Sequence, residues 1–116
     1  MQIKPIQPAM QYDDQRLTKR VLFNEEGHAV FVLNFNPGQE LPPHKHPGAA
    51  LFILVLTGSG TVIVDGKETA VSQHDAIYCS GEELFSFRNT GPDPVSLYVG
   101  LVHVPDERTP GMYNES

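Results

Sequence analysis

The sequence has one cysteine, Cys79, and therefore no partner with which to close an internal disulfide, which suits a reducing compartment. It has no basic run: eight lysines and arginines are spread singly through 116 residues against fourteen acids, for a formal charge of -6. That balance argues against a nucleic-acid surface and against attraction to anionic lipid. Long hydrophobic runs are missing too. The longest, Ala49 to Leu56, falls far short of the roughly 20 residues a helix needs to span a bilayer. The opening "MQIKPIQPAM" has neither the apolar core nor the cleavage site of a secretion signal, so the expected location is cytoplasmic. A helical period sustained over two turns is absent from the whole chain, as are a Ser-His-Asp order and a phosphate-binding glycine loop; "GSG" at 58–60 is a hairpin glycine cluster.

What is present is a succession of short strand-like segments. With 40% apolar and 19% charged residues, the length predicts one ordinary globular domain with a single core. Residues 1–16, polar and holding Pro5 and Pro8, are expected to form a mobile or loosely docked arm. Residues 17–104 are expected to form the domain, and the proline-bearing residues 105–116 a C-terminal tail. Within the domain, segments rich in β-branched and aromatic residues alternate with turns: "TKRVLF", "NEEG", "HAVFVLNF", then a turn through "NPGQELPP". Asp65-Gly66 between "TVIV" and "KETAVS" is a strong two-residue hairpin signal, because both central positions of a type I′ turn need positive φ. Eight or nine strands without helices predict an all-β sandwich or barrel, in which stacking or closing the sheets manages the exposed edges.

Period-two alternation assigns faces. In "VSLYVGLVHV" the residues Val95, Leu97, Val99, Leu101 and His103 share one side, and in "ELFSFRN" Phe85 and Phe87 form the inward pair. "ALFILVL" is apolar on both faces. Leu51, Ile53 and Val55 are expected to face the core, while Phe52, Leu54 and Leu56 need cover from a second subunit or from the N-terminal arm.

The stretch "PPHKHPGAALFILVLTGSG" sets His44 and His46 one residue apart before a strand and a glycine turn, the spacing of paired metal ligands. Gly38, His44, His46 and Gly58, followed later by Asp75 and Asn89, make the chain resemble a small single-domain cupin of the conserved-barrel type, over roughly residues 17–104. The resemblance implies a double-stranded β-helix, or jelly-roll, barrel with a pocket in its mouth, and commonly a homodimer. It also implies a metal held by His-x-His, a glutamate and a second-motif histidine. Here the glutamate position falls on Leu51 and the second histidine position on Phe85, while His74, Ser80 and Glu82 replace a Gly, a Pro and a Gly.

Half of the family's ligand set is therefore apolar. A catalytic centre of this kind needs three protein ligands and an open position, which two imidazoles do not supply. The expected ligand pocket comprises His44, His46, Leu51, Ile53, Cys79, Phe85, Phe87 and His103. His44 and His46 are the candidate ligands for a divalent transition metal (Zn, Ni, Mn or Fe), and otherwise imidazoles that hydrogen-bond an organic ligand or water. Cys79 and His103 are read either as a third metal ligand or, more simply, as a small buried hydrophobe and a strand end. Glu82 and Glu83 are read as solvated charges in a polar turn, and His28 as a surface residue. The expected function is binding of a small organic molecule at a degenerate metal site, for sensing or sequestration, with a homodimer as the expected assembly. The alternatives are a metal-dependent dioxygenase, isomerase or decarboxylase using His44, His46 and an unidentified third ligand, and a purely structural dimer module.

Overall fold

The computed structural model describes residues 1–104. The expected tail at 105–116 lies outside the described residues. Nine strands follow a short 3-10 turn at Gln7–Ala9: β1 (Thr18–Glu25), β2 (His28–Phe35), β3 (Glu40–His44), β4 (Ala49–Thr57), β5 (Ser59–Val64), β6 (Lys67–Ser72), β7 (Ala76–Ser80), β8 (Phe85–Arg88) and β9 (Val95–His103). They form a five-stranded sheet in the order β1-β2-β9-β4-β7 and a four-stranded sheet in the order β3-β8-β5-β6.

The pairing is nested. The β5–β6 hairpin is the tip, and moving outward β4 pairs with β7, β3 with β8 and β2 with β9, every pair antiparallel. Along the chain from β2 to β5, and again from β6 to β9, successive strands fall in alternate sheets. A hairpin wound in this way is the double-stranded β-helix, and its two sheets face each other across one core. Two turns are of the positive-φ kind that matches the right-handed twist of the flanking strands. Asp65 and Gly66 have φ of 51° and 83° between β5 and β6, and Glu26 and Gly27 have 53° and 84° between β1 and β2.

Alternation decides what faces inward. Phe31, Leu33 and Phe35 of β2, Leu51, Ile53 and Val55 of β4, Phe85 and Phe87 of β8, and Val95, Leu97 and Val99 of β9 are all buried in one cluster. Phe35 and Phe87 pack with ring centroids 4.9 Å apart. Asn89, which matched the family pattern, is a structural clamp: its fully buried amide donates to the carbonyls of Phe35 (3.0 Å) and Asp93 (2.9 Å) and accepts from the Gly91 N–H (3.0 Å).

One segment differs from the sequence reading, and a second, the arm, takes the docked of its two expected forms. "NPGQELPP" is not wholly a turn, because Glu40–His44 pairs as β3 with β8. Pro42 and Pro43 are tolerated there because β3 is an edge strand and the ladder shifts between Leu41 and His44. The N-terminal arm is docked: Ile6, Ala9 and Met10 pack on the outer face of the larger sheet against Leu22, Val30, Val32, Leu56 and Tyr98. Asn34 holds it, donating to the Ala9 carbonyl (2.8 Å) and the Thr18 hydroxyl (3.0 Å) and accepting from Ser96 (2.6 Å), which also meets the Tyr12 hydroxyl at 2.5 Å. The arm covers Leu56 but leaves Phe52, Leu54 and Tyr78 exposed at 51%, 37% and 63%. Among the described residues no helix is long and apolar enough to cross a membrane.

Candidate functional site

Between the sheets at one end of the barrel lies a cavity of about 90 Å³. Its imidazoles are aimed by an irregularity. Leu41 and His44 are three residues apart and in a regular strand would face opposite ways. The ladder shift across Pro42 and Pro43 sets Leu41 opposite Phe87 and His44 opposite Phe85, two inward positions of β8, so both side chains turn into the barrel. The His44 Nδ1 lies 2.9 Å from the Pro42 carbonyl, which can only accept, so Nδ1 carries the hydrogen and the neutral ring keeps its lone pair on Nε2.

His46 stands in the β3–β4 loop with its ring edge-on to that of His44, centroids 4.4 Å apart. Its backbone is held by Gly81: the His46 N–H donates to the Gly81 carbonyl (2.8 Å), and the Gly81 N–H donates to the Ala49 carbonyl (2.8 Å). A Cβ at position 81 would lie 1.9 Å from the His46 carbonyl oxygen, so only glycine permits this approach. Glu82 and Glu83 brace the same junction rather than simply facing solvent, accepting from the N–H groups of Gly48 (3.2 Å) and Ser80 (2.8 Å). Partial burial, then the charges of His44 and Lys19, depress the pKa of His46 and favour the neutral ring.

Five of the eight pocket residues expected from sequence line this cavity: His44, His46, Leu51, Ile53 and Phe85. Leu51 and Phe85 share its wall with the two histidines, so the positions where the family pattern has a carboxylate and an imidazole are filled by apolar side chains in the same space. Three do not line it. Cys79 pairs with Leu51 on the inner face of β7 but is sunk in the core at 1% exposure; burial first, then hydrogen bonding and charge from Glu83 and the charge of Asp65, push its thiol up to about 11. Phe87 is fully buried against Phe35. His103 keeps the inward parity of β9 but lies past the cavity's end, exposed beside Gly27, its N–H donating to His28 Nδ1 at 2.9 Å.

The remaining wall was missed. Val99 belongs to a row already read from alternation, Phe31 and Leu33 to a strand whose faces the sequence reading left unassigned, and Leu41 depends on the shift in β3. Lys19 carried no local signal. Its register with Leu33 turns it to the inner side of edge strand β1, where its ammonium lies 4.4 Å from the centroid of Phe31. Among the described residues no three His, Cys, Asp or Glu side chains converge as a metal site. Two imidazoles without a carboxylate do not fit the centre that the family pattern describes.

A family model described as "Cupin domain" matches residues 31–102. A protein of Arabidopsis thaliana named as germin-like, subfamily 1 member 2, is 51% identical over 39 residues; the match spans 34% of this chain and 17% of that protein's length. Among solved structures, a protein of Thermus thermophilus superposes with a TM-score of 0.83 at 24% identity, over 90% of this chain and all of its own. An RmlC-like cupin protein of Desulfovibrio desulfuricans superposes with a TM-score of 0.78 at 24% identity, over 88% of this chain and 96% of its own. At such identities the structural likeness speaks to the fold alone.

Proposed function

The chain belongs to the cupin domain family, and from that premise we propose that it is a small-molecule-binding member with a degenerate metal site, serving to sense or sequester its ligand. The observation that carries this reading is the shared wall of one cavity: His44 and His46 at its rim, Leu51 and Phe85 where a carboxylate and a third imidazole would complete a metal centre. Replacing those two groups by Leu and Phe removes the charge that would neutralise a dication and adds surface that an apolar ligand can cover. The neutral His46 and the free Nε2 of His44 supply hydrogen bonds to fix the ligand's orientation.

The assembly belongs to the same proposal. The outer face of β4 and β7, with Phe52, Leu54 and Tyr78 exposed beside the arm, supports pairing with a second copy across that face.

Elemental analysis and native mass spectrometry of the purified protein test the ligand reading together. The expected result is substoichiometric transition metal and a co-purifying small organic species that is lost from the His44→Ala, His46→Ala variant without a comparable fall in melting temperature. A stoichiometric metal that survives dialysis against chelator would overturn it.

A further inference from the structure

The cavity carries charge of one sign. Of the ten described residues that line it, seven are apolar, two are histidines and one is Lys19; among the described residues none in the lining is acidic. Lys19 reaches the rim from edge strand β1 and holds its ammonium over the face of Phe31, itself part of the wall. No carboxylate answers it: among the described residues the ion pair present is Arg88 with Glu40, at 3.9 Å. An ammonium positioned by a ring at the mouth of an apolar hole, with an imidazole beside it as a second donor, is a receptor for an anion with an apolar tail.

Resting on the ligand-binding reading above, we propose that the occupant is a short aliphatic carboxylate, its head group on Lys19 and His46 and its tail against Leu51, Ile53, Phe85 and Val99. Size narrows the class. A cavity of about 150 Å³ encloses a benzene ring, and this one is about 90 Å³, which suits a branched chain of a few carbons. A sugar would leave hydroxyls unpaired against the seven apolar walls, at a cost in affinity for each. A carboxylate places both oxygens at the rim and nothing polar below it.

The test uses two probes of equal shape, isovalerate and the uncharged isovaleramide, titrated into methyl-labelled full-length protein while the methyl signals of Leu51, Ile53 and Val99 are followed. The expected result is saturable shifts with isovalerate at least tenfold tighter than the amide. In Lys19→Met, which keeps the stem and removes the charge, the two probes should bind alike, with methyl signals remote from the cavity unchanged. Equal or tighter binding of the amide to the unmodified protein overturns the proposal, as does a carboxylate preference that survives Lys19→Met. Either outcome leaves the ligand-binding reading standing, because a tail is still bound. If neither probe shifts the cavity methyls, the carboxylate proposal falls, and the co-purifying species decides the broader reading independently.

Discussion

His44 of β3 stands directly opposite Phe85 of β8 in the antiparallel ladder, and both line one cavity with Leu51. Cross-strand neighbours on one face lie about 4.5–5.5 Å apart at Cβ, close enough for a histidine at position 85 to share a metal with His44. The pair Leu51→Glu and Phe85→His should therefore raise zinc affinity steeply. Groups that merely orient ligands change metal affinity about 10–100-fold, so adding two ligands should give at least about that gain, read by competition with a chromogenic chelator. Without metal the variant should melt lower, because a buried carboxylate replaces apolar packing. A folded double variant with unchanged affinity would mean that the four side chains do not converge.

Asn34 should matter out of proportion to its size. Its amide is fully buried and satisfied by Ala9, Thr18 and Ser96. Asn34→Ala leaves those partners unpaired and should cost about 1–3 kcal/mol, measured by urea unfolding. Faster amide exchange should follow in residues 6–12, since the arm loses its tether. Unchanged exchange there would show that the apolar contacts of Ile6, Ala9 and Met10 hold the arm alone.

The proposed self-association rests on the uncovered outer face. Sedimentation at micromolar protein should report about twice the chain mass of 12.8 kDa. Leu54→Lys, which sets a charge in the middle of the apolar groove lined by Phe52, Tyr78 and Tyr98, should shift the population toward monomer or aggregate. A soluble monomer in the unmodified protein would mean that the face left exposed by the arm needs no cover, and the dimer proposal would be withdrawn.

His46 links stability to acid. Its pKa in the folded protein is depressed by burial and by the neighbouring charges, so the unfolded chain takes up the proton first as pH falls. Stability contributed by the neutral ring is complete above the ordinary value of 6.5 and declines as pH drops through the folded value. Thermal midpoints should fall between neutral pH and pH about 5, by less in His46→Gln. A midpoint for the His46 ring signal at or above 6.5 in an NMR titration would contradict this.

Cys79 has the opposite dependence. Its thiol is held at about 11 against an ordinary 9.0, so the unfolded chain ionises first as pH rises and the contribution of the buried thiol is lost from about 9 upward through about 11. At pH 8 the native protein should resist iodoacetamide, with full alkylation only after denaturation. Rapid modification of the native thiol would show that Cys79 reaches solvent.

Much of this protein was legible locally. Residue content marked "HAVFVLNF" as a strand, alternation in "VSLYVGLVHV" marked β9 and its buried row, Asp65-Gly66 marked its hairpin, and the two faces of "ALFILVL" marked one strand with a core side and an uncovered side. The histidine pair was visible by spacing, and the resemblance to the family implied that Leu51 and Phe85 stand in place of ligands. These features are local because a period of two and a positive-φ turn are properties of a few consecutive residues. His74 shows where local rules stop: it stands where the family pattern has Gly and keeps the backbone that glycine would prefer, with φ of 77°, while its N–H donates to the Val55 carbonyl at 2.8 Å. The tertiary structure decided which strands meet and in what register. It set Lys19 against Leu33 and over Phe31, brought Gly81 against His46, and used two prolines on an edge strand to shift the β3 ladder so that Leu41 and His44 both face inward. Parity can be counted along a chain, but register and bulges are settled only between residues far apart in sequence, and it is there that the rim of the cavity acquired its charge.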